Sequence, residues 1–252
     1  MKMIDVHCHI DQYDLHELED IFSKKYIHVI GAAMHKASGE KLLKMKKSYK
    51  NLSICLGIHP EYPDYYDEFE EVKKQIIENK DEIIAIGEIG MPYYSLEGLE
   101  ENEKEEYIEK GKSLLIQFLD LAKELDLPVV LHSIETTAKI ALEELKRRKI
   151  KKALFHWFEG DLEIMKEITR EGYYISVSPD VMYNKSYRAF VKNIPIENLV
   201  LESDGPWAYN GEKGVPEMII DSLAYISKEK NIEEIELRKI FYENAEHLFG
   251  DL

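Results

Sequence analysis

The chain is expected to fold as an α/β protein, a TIM (β/α)8 barrel forming one domain over residues 1–252. Three observations support this. Eight short β-rich runs alternate with longer segments of helical periodicity, the apolar residues within the runs are nearly continuous, and 252 residues is about the length such a barrel needs. Near-continuous apolar strands mark a parallel sheet covered on both faces. A doubly wound open sheet is the competing architecture, but it usually has fewer strands at this length.

Taken in order, the strand candidates are Met3–His9, Tyr26–Met34, Leu52–Ile58, Ile83–Glu88, Pro128–His132, Lys152–His156, Tyr173–Val177 and Asn198–Ser203. Between them run the helical segments. In Tyr107–Leu125, Ile108, Leu115, Phe118, Leu119 and Ala122 recur at three-four spacing and define one buried face. Gly172 is placed to end the helix Leu162–Glu171, and Pro216 to open the helix Glu217–Lys228. The acidic run Glu97–Glu109 reads as a solvated first helical turn after a loop. There is no internal repeat, Gly/Ser linker or low-complexity tract to divide the chain.

Composition excludes several classes. With 44% hydrophobic and 33% charged residues, the chain is neither disordered nor fibrous. Its longest clean apolar runs, such as Val29–Met34, are too short to span a bilayer, and the start Met1-Lys2-Met3-Ile4-Asp5 is unlike a signal peptide. No membrane partner is expected. Cys8 and Cys55 are the only cysteines and sit in strand-like runs, which suits buried thiols in a reduced, cytoplasmic chain rather than a disulfide or a cysteine zinc site. A net charge of -16 weighs against a broad duplex-coating interface, though not against a cleft whose own cations reverse the local field.

The chemistry gathers at the strand ends. His7 and His9 bracket Cys8 at the end of the first run, and residues two apart on a strand share a face. Glu88 closes the fourth run, His132 the fifth and His156 the sixth, while Asp204 follows the eighth. Any one of them has an ordinary structural explanation, as a satisfied barrel histidine or a helix cap. Six such groups at the carboxyl ends of barrel strands, and none at the starts, point to the face where these barrels keep their sites. Four imidazoles and two carboxylates suffice for two divalent ions, with donors that suit Zn²⁺, Mn²⁺ or Mg²⁺. Such ions bring the pKa of a bridging water toward neutrality, and Asp204 is placed to accept its proton.

The ordered set resembles the TatD-type metal-dependent hydrolases, a branch of the amidohydrolase superfamily. It runs through Ile4-Asp5-Val6-His7-Cys8-His9, Gly57-Ile58-His59-Pro60, Gly87-Glu88-Ile89-Gly90, Val130-Leu131-His132-Ser133, Phe155-His156-Trp157-Phe158-Glu159-Gly160 and Leu201-Glu202-Ser203-Asp204-Gly205-Pro206. The resemblance implies a barrel with two divalent metals that hydrolyses phosphodiesters, often as a deoxyribonuclease. By position, His7, His9, Glu88 and Asp204 would hold one metal, and Glu88, His132 and His156 the other. Glu88 and Asp204 would be the catalytic carboxylates and His59 a substrate contact. The partner implied is a single-stranded nucleic acid end or a small phosphodiester; no protein partner is inferable.

Four positions depart from the family pattern: Glu61 replaces a second histidine after Pro60, Pro92 an aspartate, Ile134 an arginine, and Gly214-Val215-Pro216 a more polar loop. Arginine is the natural fork for a phosphate. Lys185, Arg188 and Lys213 are candidate substitutes, and Tyr93, Tyr94, Trp157, Trp207 and Tyr209 are candidate stacking residues. Two alternatives stand beside the nuclease. One is an amidohydrolase or lactonase for a small molecule, favoured by the missing arginine and disfavoured by Glu88 at the superfamily's modified-lysine position. The other is a metal-binding barrel without catalysis.

Overall fold

The computed structural model describes residues 2–252; Met1, where the expected domain begins, lies outside them. Eight parallel strands pair in chain order: β1 (Met3–Cys8), β2 (Ile27–Ala32), β3 (Leu52–Leu56), β4 (Ala85–Gly90), β5 (Val129–His132), β6 (Ala153–Phe155), β7 (Tyr174–Val177) and β8 (Leu199–Leu201). Seven of the expected runs contain their strand whole, and the fourth, Ile83–Glu88, overlaps β4, which continues to Gly90. The helices lie on the outside: α1 (Leu15–Ser23), α2 (Lys36–Lys46), α3 (Phe69–Glu78), α4 (Glu101–Leu125), α5 (Thr137–Arg148), α6 (Leu162–Arg170), α7 (Lys185–Val191), α8 (Ile219–Lys230) and α9 (Glu234–Phe249). The fold is the expected TIM barrel.

The strands are buried along nearly their whole length because both of their faces are covered. Residues such as Ile54, Leu56, Val129, Leu131, Phe155 and Ile175 belong to the large core that includes the helices. A second cluster holds Ile4, Val6, Ile30, Cys55, Ala85, Val130, Leu154 and Val200, with Ala245, Leu248 and Phe249 of α9. Side chains two apart on a strand share a face, so His132 stands above Val130 and His156 above Leu154. The apolar cluster thus forms a floor, and the polar residues stand over it.

The β1–β8 seam is closed by side chain as well as backbone. Asp5, fully buried, accepts hydrogen bonds from the Ser203 amide (2.8 Å) and the Ser203 hydroxyl (2.6 Å). Above it the Asp204 amide donates to the His7 carbonyl (3.0 Å) and the His9 amide to the Gly205 carbonyl (2.7 Å). The two chain regions that carry His7, His9 and Asp204 are therefore locked side by side. Glycine is required next to Glu88: a Cβ on Gly87 would lie 2.6 Å from the Val130 Cβ, and one on Gly90 would collide with the His132 carbonyl. Strands β4 and β5 approach that closely, which brings Glu88 next to His132.

Two local expectations are adjusted. Helix α4 starts at Glu101, earlier than Tyr107, closed by a capping box between Glu100 and Glu103. Pro216 opens a 3-10 turn, Pro216–Met218, and α8 begins only at Ile219. A small hairpin, β9 (Ala208–Tyr209) with β10 (Glu212–Lys213), lies between β8 and α8. Gly172 follows α6 with φ of +80°, the left-handed conformation that ends a helix cheaply only in glycine. Cys8 and Cys55 are free and buried. Among the described residues no helix is long and apolar enough to cross a membrane.

Candidate metal centre

All six residues expected at the metal centre converge, and Glu88 is their hub. His7 Nε2 and His9 Nε2 face its Oε2 at 3.2 and 3.3 Å. His156 Nε2, His132 Nδ1 and His59 Nε2 face its Oε1 at 2.9, 3.0 and 3.2 Å. Asp204 Oδ1 lies 3.5 Å from His7 Nε2 and 3.6 Å from His9 Nε2. The Glu88 side chain is wholly buried, whereas that of Asp204 is 11% exposed, so Asp204 meets the mouth and Glu88 does not. His59 points inward at Glu88 too.

Outer groups aim these rings. His9 Nδ1 lies 3.1 Å from the Ala32 carbonyl, a bond in which the ring nitrogen must donate. His156 Nδ1 faces Glu202 Oε1 at 3.6 Å, and Glu202 is itself held by the Ser176 hydroxyl at 2.6 Å. His132 Nε2 reaches Glu61 Oε1 at 3.0 Å. In each case the nitrogen turned to the centre is the opposite one. A second partner on a ligand histidine commonly fixes its tautomer in this way.

The electrostatics show a cluster that demands positive charge. Burial pushes the Glu88 carboxyl up, but the facing imidazoles of His59, His156 and His7 outweigh it and hold it well below the usual range. Burial pulls His9 down, yet Glu88 and Asp204 lift it to about 9. His156 behaves likewise: desolvation lowers it, and Glu88 and Glu202 raise it well above its ordinary value. At His59 burial prevails and brings the imidazole to about 3. Asp204 is pushed up by burial.

The donor set fits divalent ions. Both Glu88 oxygens, Asp204 Oδ1 and His7 Nε2 are buried without a hydrogen-bond partner, an arrangement proteins rarely leave uncompensated. Three overlapping triads, His7–His9–Asp204, His7–Glu88–His156 and His9–His59–Glu88, each bring one donor atom per residue within 4.8 Å of the others. His132 stands outside these triads but meets Glu88 directly. Neutral imidazole nitrogen and carboxylate oxygen are the donors that Zn²⁺ and Mn²⁺ accept, with Mg²⁺ preferring the oxygens.

Of the cations nominated for a phosphate, Lys185 is exposed at the start of α7, while Arg188 and Lys213 have other partners. Arg188 donates to the carbonyls of Val181 and Met182 and lies over the Tyr225 ring. Lys213 pairs with Glu17 at 2.6 Å. Of the nominated stacking residues, Tyr94 is 60% and Trp207 61% exposed, with Trp207 edge-on to Trp157 at 6.1 Å, whereas Tyr209 is buried and donates its hydroxyl to the Ser203 carbonyl at 2.8 Å, which removes it from the set. Glu61 and Glu202 are the site residues that sequence reasoning missed. Each is an acid two residues from a site residue; Glu202 closes an apolar run and Glu61 stands where the family pattern has a histidine, and those were the available signals.

A (β/α)8 barrel with a histidine–carboxylate cluster at the carboxyl ends of its strands defines the class: a metal-dependent hydrolase. The sequence profile of TatD related DNase matches residues 4–250, and the chain belongs to that family. It is 30% identical over 254 residues to a metal-dependent hydrolase of Haemophilus influenzae described as uncharacterized, covering 98% of this chain and 99% of the relative. It is also 30% identical to the human deoxyribonuclease TATDN3, covering 99% and 95%. Its fold superposes on the Escherichia coli TatD homologue YjjV with a TM-score of 0.87 at 25% identity, covering 99% of this chain and 98% of that one.

Proposed function

We propose that residues 1–252 form one catalytic domain that binds two divalent ions and hydrolyses phosphodiesters as a deoxyribonuclease, acting on single-stranded nucleic acid ends. The observation that carries the reading is the buried Glu88 carboxylate, faced by imidazoles on both oxygens with Asp204 beside it. His7, His9, Glu88 and Asp204 would hold one ion, and Glu88, His132 and His156 the other. The relatives' names support both the metal dependence and the nuclease class. The free, buried thiols fit a reducing cytoplasm.

Bound there, the ions would supply Lewis acidity and an acidified water. The chain's own residues do the rest. Asp204, the carboxylate that reaches the mouth, takes a proton from the attacking water and returns it to the departing ester oxygen. Glu88, closed off from solvent, keeps the imidazoles gathered and stays ionised. His59, beside Glu88, is assigned to the substrate. Tyr94 and Trp207 offer exposed ring faces to unpaired bases.

One observation favours a second reading, a lactonase or amidohydrolase for a small molecule: Arg188 and Lys213 are occupied elsewhere, which leaves Lys185 alone of the three nominated cations for a phosphate chain. Metal-reconstituted protein on 3′-labelled single-stranded DNA, with Mg²⁺ or Mn²⁺, separates the two. Cleavage should fall by about 10²–10⁴ in Asp204→Asn. No cleavage by wild-type protein holding two metals, with turnover of a lactone or amide panel, would establish the second reading.

A further inference from the structure

Glu61 stands where the family pattern has a histidine, and its carboxylate is saturated with donors from two different elements. Oε1 accepts from the Tyr93 amide (2.8 Å), the Tyr94 amide (3.1 Å) and His132 Nε2 (3.0 Å); Oε2 accepts from the Ser95 amide (2.7 Å). The side chain is only 12% exposed. We propose that Glu61 is a positioning residue that fixes the His132 tautomer for metal binding and pins the Tyr93–Ser95 segment of the mouth to that same histidine.

The chemistry of the partners dictates the first half. An ionised carboxylate only accepts hydrogen bonds, so the shared proton belongs to His132 Nε2. That leaves the Nδ1 lone pair turned to Glu88 Oε1 at 3.0 Å and to His156 Nε2 at 3.2 Å. Three acceptor atoms that close, with the His132 proton committed outward, form a place for a cation. A carboxylate behind a ligand histidine both orients the ring and raises its basicity, and losing it commonly costs 10–100-fold in metal affinity.

The second half follows from the three amides. Tyr93, Tyr94 and Ser95 present consecutive N–H groups to one carboxylate, and the Tyr94 ring lies edge-on to the His132 ring at 6.2 Å. A single side chain therefore sets both a metal-binding nitrogen and an exposed aromatic wall beside it. A staple that served the loop alone would not need the His132 contact.

The inference rests on the two-metal reading, and the test separates the two. Metal-free protein is titrated with Mn²⁺ by calorimetry, as wild type, Glu61→Ala and Glu61→Gln, each checked for native circular dichroism. Wild type should bind two ions. In Glu61→Ala one of the two affinities should fall about 10–100-fold with the other unchanged, and Glu61→Gln, whose carbonyl oxygen still accepts the His132 proton, should recover most of the loss. Two unchanged affinities in a folded Glu61→Ala would overturn the role of Glu61 and leave the metal site standing. Failure of wild type to bind Mn²⁺ would overturn the metal reading and this one with it. Should the alanine variant not fold, nitrogen NMR of the Zn²⁺-loaded wild type decides: a proton on His132 Nε2 supports the assignment and one on Nδ1 refutes it.

Discussion

The barrel seam gives the most direct stability prediction. Asp5 has no exposure to solvent, and its two oxygens take the amide and the hydroxyl of Ser203. Burial pushes this carboxyl well above its ordinary range, so the native protein already carries part of the cost of a buried acid. Asp5→Ala leaves the Ser203 amide buried and unpaired, which costs about 1–3 kcal/mol. The Ser203 hydroxyl loses its acceptor too, although it still accepts from the Gly205 amide at 3.1 Å, and a cavity opens. A total of about 3 kcal/mol follows. Asp5→Asn keeps an acceptor for the amide and turns its own NH₂ toward the Ser203 oxygen, so its cost should be about 1 kcal/mol. Urea unfolding followed by circular dichroism, in excess chelator so that metal does not mask the difference, gives the midpoints. A loss below about 0.5 kcal/mol in Asp5→Ala, or an asparagine variant less stable than the alanine, would refute the seam argument, since the natural scatter of surface substitutions is about that size.

Two further outcomes are expected. His28 is buried against the Ser53 hydroxyl at 2.9 Å, and burial brings its imidazole down to about 4. The unfolded chain therefore takes this proton first as pH falls, so the contribution is full above about pH 6.5 and is lost progressively toward pH 4. It amounts to about 3 kcal/mol; His28→Gln should show a correspondingly smaller drop in urea midpoint between pH 7.5 and 4.5, and an equal drop would count against it. Metal removal should also show in thermal unfolding. Each site held at 100 times its dissociation constant adds about 2.7 kcal/mol, or roughly 5–10 °C for a chain of this size. A melting temperature indifferent to excess Mn²⁺ or to chelator would mean that the cluster binds no ion.

Much of this was legible in the sequence because the signals are local. Apolar runs mark a strand buried on both sides, and the histidines and carboxylates closing them fall on one barrel face by topology alone. Even the pairing of His7 with His9 survived a disturbed register: β1 ends at Cys8 and its pairing with β2 shifts between Asp5 and Cys8, so His9 lies beyond the strand and is aimed by the Ala32 carbonyl. What stayed hidden depends on neighbours far along the chain. Nothing in His59-Pro60-Glu61 announces that the acid meets a histidine on β5 and three amides after β4. Nothing in Ser176 announces its grip on Glu202, and the start of α8 moved on because a 3-10 turn intervenes at Pro216.

The same long-range contacts decide how the mouth must work. A basic residue in the segments after β7 or β8 counts toward phosphate binding only if its charge is free; Arg188 is turned onto two carbonyls and Lys213 is paired with Glu17, which leaves Lys185. With a net charge of -16 and these cations engaged, a polyanion gains little from the protein surface at a distance. Attraction has to arise at the centre itself, where Glu88 and Asp204 gather imidazoles and, on the proposed reading, would hold divalent cations beneath exposed rings. On the proposed function, that geometry would suit a short, flexible strand end or a small ester that can descend to the strand tips rather than an intact duplex, whose phosphates would need a broad basic face. Glu61 takes on added weight here, because it ties the floor of that descent to one of its walls.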